Sequence, residues 1–109
     1  MFHLRMVFIE TPVFTKQATG GLFTDYELLQ LQNELIANPI KGELIIGNGG
    51  LRKLRVASNK RGKSGGFRII YYLASPDSIF LLLAYSKSRK DNLTKSEIQF
   101  LKCLIEDKT

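Results

Sequence analysis

Basic residues recur at alternating positions between Leu51 and Tyr72, a stretch that holds seven lysines and arginines and no acid. Successive side chains of a β-strand point to opposite faces. Lys53 and Arg55 are therefore expected on one face, and Arg68 joins them if the strands on either side of the intervening loop pair. Converging cations of this kind attract and bind the phosphates of a polyanion.

If the polyanion is RNA, residues of these types can assist its cleavage by attack of a ribose 2′-hydroxyl on the neighbouring phosphate. That reaction needs a proton acceptor, stabilisation of the phosphorane charge and a proton donor to the leaving 5′-oxygen. Lys53, crowded by the like charge of Arg55, is the expected acceptor. Arg68 can hold the phosphate with two donors. Lys87 or Tyr85 would then protonate the leaving group.

Further cations surround this set. Residues 51–90 carry a net charge of +9 and the rest of the chain −3, so the positive charge belongs to one part of the fold. A solvated basic face that serves solubility is the competing interpretation. The residues predicted to contact RNA, in the loop SNKRGKSGG and beside the catalytic set, are Arg52, Lys60, Arg61, Lys63, Tyr85, Arg89 and Lys90.

The sequence lacks the residues that other common chemistries require. The tripeptide GKS at Gly62 resembles the end of a P-loop, but Ala57 stands where the first glycine is required and a strand pattern follows. The only histidine is His3, and no Cys/His/Asp group has metal-ligand spacing, so we expect no cofactor and no metal. The longest apolar run, IFLLLAY, is far shorter than the ~20 residues that span a bilayer. A lone Cys103 fits a reducing cytoplasm.

The elements that must position the cations follow from periodicity and capping signals. One domain covering residues 1–109 is expected, with the element order β-α-α-β-β-β-α. Thr11 before Pro12 opens a short first helix, Thr24 opens a second, and Thr94 opens the last. Short connections between the last three strands predict a small antiparallel sheet, and we expect the helices to pack on one of its faces, an α+β fold.

The pattern GGLRKLRVAS, KRGKSGGFRIIYYL, FLLLAYSK and DNLTKSEI resembles the RelE superfamily of bacterial toxins, most closely its HigB-type branch, from Met6 to nearly the end of the chain. The resemblance implies a RelE-like fold and a ribosome-dependent mRNA endoribonuclease that inhibits translation. By position it matches Lys53, Arg55, Arg68 and Lys87 to the family's catalytic basic residues. The sequence departs from that pattern at Ser88, where the family has arginine, and around Leu93 and Thr94, where relatives have tyrosine or histidine.

The resemblance also implies partners. They are mRNA on the ribosome and a cognate antitoxin, expected to be of the HigA type with a helix-turn-helix part, and no membrane is involved. Two other functions stay open: a non-catalytic RNA-binding module, and a toxin of the related ParE type that acts on a topoisomerase. The ParE-like function is less favoured, because such chains share the fold without needing convergent basic side chains.

Overall fold

The structure, a computed structural model, describes residues 5–45, 47, 49–57, 66–86 and 93–108. The described residues form an α+β fold in which three helices surround a five-stranded sheet. The elements in chain order are β1 Val7–Glu10, α1 Pro12–Thr19, α2 Asp25–Ala37, β2 Glu43–Leu44, β3 Leu51–Val56, β4 Phe67–Ser75, β5 Ser78–Ser86 and α3 Lys95–Lys108.

The helices begin where the capping signals predicted. The Thr11 hydroxyl accepts a hydrogen bond from the Phe14 amide, 3.1 Å away, at the start of α1. Thr24 and Glu27 form a reciprocal capping box at the start of α2. Thr94 and Glu97 make the same two hydrogen bonds before α3, at 2.9 and 3.1 Å. Each cap satisfies backbone amides that have no partner inside the helix.

The sheet differs from the prediction at both of its edges. Its strand order is β1-β5-β4-β3-β2, and β1 pairs with β5 in parallel, so the sheet is mixed rather than antiparallel. Two helices separate β1 from the later strands, which frees β1 to run in either direction. At the other edge, the predicted order has no strand between the second helix and β3, but the structure has β2, a two-residue strand antiparallel to β3 that is too short to leave a periodic signal.

The helices pack on both faces of the sheet, which corrects the prediction that they cover one. Helices α1 and α2 cover a core that includes Phe14, Leu31 and Tyr71. Helix α3 packs on the opposite face through Leu101 and Ile105. We call these the α1–α2 face and the α3 face. Strands β4 and β5 are apolar on both pleats because both of their faces are covered.

Helix α1 also completes the edge of β5 beyond the end of β1. The Thr11 hydroxyl donates to the Leu82 carbonyl at 2.7 Å. The Gln17 side-chain amide donates to the Ala84 carbonyl and accepts from the Ala84 amide, at 2.5 and 2.8 Å. These bonds replace the strand partner that β5 lacks there, so its backbone polar groups are satisfied. Within the described ranges, no helix has the length and apolar character needed to cross a membrane.

Candidate functional site

A row of three polar side chains crosses the central strands near one end of the sheet. Arg55 of β3 lies directly opposite Arg68 of β4, and Arg68 lies directly opposite Tyr85 of β5. Directly opposed side chains have Cβ atoms about 4.5–5.5 Å apart. The strand register therefore agrees with the expectation that Arg55 and Arg68 share a face, and it adds Tyr85 to them. We call these three residues the Arg55–Arg68–Tyr85 row.

The row lies on the α3 face. Leu54 and Val56 on either side of Arg55 belong to the α1–α2 core, as do Phe67 and Ile69 on either side of Arg68. The pleat therefore sends both arginines to the other side of the sheet. This agrees with the alternation predicted from the sequence.

Tyr85 reaches this face because of an irregularity in β5. Ile70 pairs with Leu83 and Tyr71 pairs with Leu81, which leaves Leu82 without a partner in the β4–β5 register, as in a β-bulge. One extra residue reverses the alternation beyond it. Without it, Tyr85 would point into the α1–α2 core; with it, Tyr85 contributes to the core cluster of the α3 face.

Arg68 is the least expected member of the row because it is only 6% exposed. Among the residues that the structure describes, its guanidinium has neither an ion-pair partner nor a hydrogen-bond partner. The exposed Arg55 lies opposite it, and like charges in directly opposed positions destabilise a sheet. A buried cation is costly unless an anion pairs with it. The row is therefore suited to receive an anion from outside.

Lys53 precedes Arg55 by two residues in β3 and therefore points to the same face of the sheet. Its direct partners across the sheet are Glu43 on β2 and Ile70 on β4, and Leu83 on β5 lies beyond Ile70. Lys53 is half-buried and has an interaction partner in the structure. The structure thus brings Lys53, Arg55, Arg68 and Tyr85 of the predicted site to one face.

Arg52 is separated from this group. It lies on the α1–α2 face, opposite Tyr71, and its guanidinium donates to the backbone carbonyls of Gly42 and Ile40 at 2.8 and 3.4 Å. The same period of two that grouped Lys53 with Arg55 assigns Arg52 to the other side. Its predicted contact with RNA is therefore not supported by its position, which instead holds the chain between α2 and β2.

Tyr71 holds the same segment from the sheet. Its hydroxyl donates to the Pro39 carbonyl at 2.8 Å and accepts from the Gly42 amide at 2.9 Å. Burial raises the pKa of Tyr71, while the Gly42 hydrogen bond and the charge of Arg52 oppose that shift. Sequence reasoning missed this cluster, since neither tyrosine of the YY pair carries a signal for it.

The remaining predicted site residues lie outside the described residues. They are Lys60, Arg61 and Lys63 of the loop, and Lys87, Arg89 and Lys90 after β5; Ser88 lies there too. Among the described residues, no group of three or more His, Cys, Asp or Glu side chains could hold a metal ion.

The fold and the row define a small α+β protein with two opposed arginines on one face of a mixed sheet. A family comparison makes this more specific: the model of the family described as the RelE toxin of the RelE/RelB toxin-antitoxin system matches residues 6–108. The chain belongs to this family. It is a toxin of a toxin-antitoxin system, a class that generally inhibits translation, and its family implies a cognate antitoxin.

Proposed function

We propose that this toxin is a ribosome-dependent mRNA endoribonuclease whose active site is the α3 face around the Arg55–Arg68–Tyr85 row. The observation that carries the proposal is Arg68, a buried arginine with no counter-ion among the described residues and a second arginine directly across the sheet. A phosphate seated between the two would relieve their repulsion. The family match supports a translation-inhibiting toxin.

In the proposed reaction the 2′-oxygen of the RNA attacks the adjacent phosphorus while Lys53 accepts the hydroxyl proton. Arg68 and Arg55 stabilise the charge on the phosphorane oxygens, where fixed donors contribute most. The bond to the 5′-oxygen breaks, and Tyr85 or Lys87 supplies its proton. The products are a 2′,3′-cyclic phosphate and a 5′-hydroxyl end. The ribosome would align the mRNA, because a face of this size makes too few contacts to position the substrate by itself.

We extend the proposal to the branch and the partner. The GGLRK and GGFRIIYY motifs favour the HigB-type branch, and with it an antitoxin of the HigA type that carries a helix-turn-helix part. Such a system acts in the cytoplasm, where ribosomes and mRNA are found.

The test is to map RNA ends after brief expression of the wild-type chain, Arg68→Ala and Arg52→Ala. The wild-type chain should create new 5′-hydroxyl ends within translated messages. Arg68→Ala should lower their frequency by about 100-fold to 1,000-fold, the usual effect of losing one donor to a transition-state oxyanion. Arg52→Ala is the matched control, because it removes the same side chain from the opposite face and should leave cleavage in place.

Other outcomes would contradict the proposal. Translation arrest without new 5′-hydroxyl ends would favour the non-catalytic RNA-binding module, and trapped topoisomerase with intact mRNA would favour the ParE-like toxin. A soluble, folded Arg68→Ala chain that cleaves as well as the wild type would remove Arg68 from the site.

A further inference from the structure

Strand β2 brings an acid to the α3 face of the sheet. Glu43 lies directly opposite Lys53 in the β2–β3 register, so the two side chains point to the same face, with Cβ atoms about 4.5–5.5 Å apart. That face is the α3 face, because Lys53 shares it with Arg55. Ile45, two residues after Glu43, packs against the core of the α3 face, which gives the same orientation for this segment. A carboxylate is thus within reach of Lys53.

The backbone on either side of Glu43 is held in place. Before it, the Gly42 amide donates to the Tyr71 hydroxyl at 2.9 Å. A Cβ atom at Gly42 would lie only 2.6 Å from Cε1 of the Tyr71 ring, so the chain packs directly on that ring. After it, the Ile45 amide donates to the Leu51 carbonyl of β3 at 2.9 Å. These contacts hold a two-residue edge strand in register, and they fix where the Glu43 side chain begins.

On β3 and β4, the charged side chains around Lys53 are positive. Arg55 lies two residues further along β3, and Arg68 lies diagonally across the ladder on β4. In the proposed reaction Lys53 accepts a proton and becomes an ammonium beside two guanidinium groups, and like charges at these positions repel each other. Of the strand acids that the structure describes, Glu43 is the only one on this face, because Glu10 lies opposite the α1–α2 core. Within the sheet, the counter-charge to that ammonium is therefore Glu43.

We propose that Glu43 is a positioning residue for Lys53. Its carboxylate orients the Lys53 side chain and stabilises the ammonium that forms when Lys53 takes the proton of the RNA 2′-hydroxyl. The proton passes from the 2′-oxygen to the Lys53 nitrogen, and Glu43 stays ionised throughout. A third group that orients and stabilises a catalytic base in this way recurs in catalytic triads. The inference rests on the proposed endoribonuclease function.

Single-turnover cleavage of mRNA on programmed ribosomes, with the full chain in excess, tests this role. Glu43→Gln should lower the maximal cleavage rate by about threefold to fivefold, the equivalent of about 0.7–1 kcal/mol, within the range for a partly exposed ion pair. It should not raise the toxin concentration that gives the half-maximal rate, because removing a negative charge beside the RNA does not weaken binding. A variant that is merely misfolded would weaken binding as well. Urea unfolding shows whether the variant is folded.

Two further variants separate the position of the charge from its presence. Glu43→Asp keeps the carboxylate and should recover most of the rate that Glu43→Gln loses. Glu10→Gln is the matched control, because it makes the same change of net charge at the opposite edge of the sheet and on the α1–α2 face. Its amide oxygen can still accept the hydrogen bond that Glu10 accepts from the Thr15 hydroxyl at 2.7 Å. Cleavage by this control should equal that of the wild type.

A double-mutant cycle shows whether Glu43 acts through Lys53. If it does, Glu43→Gln should have no further effect on the slow residual cleavage by a Lys53→Gln chain, because the partner that it positions is already gone. An equal loss of rate in both backgrounds would overturn the proposal, and so would a Glu43→Gln chain that cleaves as fast as the wild type or faster.

Failure of this inference can be told apart from failure of the proposed function. If the wild-type chain cleaves mRNA and Arg68→Ala does not, a wild-type rate for Glu43→Gln removes only the role of Glu43. If the wild-type chain does not cleave mRNA on ribosomes, both proposals are wrong.

Discussion

Arg52 and Arg55 stand three residues apart in one strand, and the pleat gives them different surroundings. Arg55 lies beside Arg68 on the α3 face, where two cations face each other across the strands. Arg52 lies beside Tyr71 and donates to backbone carbonyls of the segment between α2 and β2. The same side chain is thus available to an anion at one position and committed to the fold at the other.

Tyr71→Phe tests the hydrogen bonds that the buried Tyr71 hydroxyl makes to the segment between α2 and β2. At neutral pH the variant should lose about 1–3 kcal/mol of unfolding free energy, because the Gly42 amide loses its acceptor in a buried site. The raised pKa of Tyr71 means that the phenolate is favoured in the unfolded chain. The stability from the neutral hydroxyl is therefore complete below the ordinary tyrosine pKa of 10.0 and is lost as pH rises above it.

The measurement is urea unfolding of wild type and Tyr71→Phe, at neutral pH and above the tyrosine pKa. The difference in unfolding free energy between the two proteins should be smaller at the higher pH. Tyr26→Phe serves as the control, since Tyr26 is 61% exposed and its hydroxyl accepts only from Gln30 at 3.2 Å among the described residues; its effect on the free energy of unfolding should be small. If the difference in unfolding free energy between wild type and Tyr71→Phe stays constant or widens at the higher pH, the neutral Tyr71 hydroxyl does not stabilise the fold in the way argued above.

At the scale of elements, pairing of β3 with β4 carries the site. The ladder runs from Leu51 opposite Tyr72 to Val56 opposite Phe67, and Arg55 and Arg68 form the pair next to the Val56–Phe67 end. Gly66, just before β4, has a φ of +57°. A Cβ atom there would meet the Val56 carbonyl oxygen at 2.0 Å, so the strands can approach this closely only because the residue is glycine.

Gly66→Ala should therefore destabilise the chain through two effects, the left-handed backbone and the collision with β3. Gly21→Ala separates them, because Gly21 has a φ of +86° but no atom within 4 Å of the added Cβ. We expect about 1–2 kcal/mol of lost unfolding free energy for Gly21→Ala, the usual cost of a left-handed conformation. Gly66→Ala should cost clearly more in the same urea titrations. Equal losses would show that the strand ends are not packed as closely as described.

Much of the fold could be predicted from local signals. Capping residues fixed the start of each helix, since a cap depends on neighbours three residues away. Alternation in β3 and β4 correctly placed Arg55 and Arg68 on one face, because the period of two survives in any sheet. The parallel direction of β1 and the packing of α3 on the second face could not be predicted, because both depend on contacts between residues far apart in the chain.

The site was predictable to a similar extent. The placement of Tyr85 beside Arg68 depends on the irregularity at Leu82, and a run such as IFLLLAY gives no sign of which leucine is the extra residue. The burial of Arg68 depends on neighbouring elements, which no pattern within β4 reveals. The position of Arg52 could have been predicted, because the alternation that groups Lys53 with Arg55 places Arg52 on the opposite face of the sheet.

At the scale of the whole molecule, the net charge of +6 is divided between a segment of +9 and a remainder of −3. If the α3 face binds RNA, the affinity should depend on where a cation lies and not on the total charge. Replacing Lys60, Arg61 and Lys63 with Gln should make the slope of log affinity against log salt less steep by about 2, at about 0.7 per phosphate contact for single strands.

The control replaces Arg5, Lys16 and Lys41, which are exposed and lie outside the basic segment. It removes the same charge and should leave the slope nearly unchanged in fluorescence anisotropy titrations. Equal slopes for both triple variants would assign the loop to solubility alone.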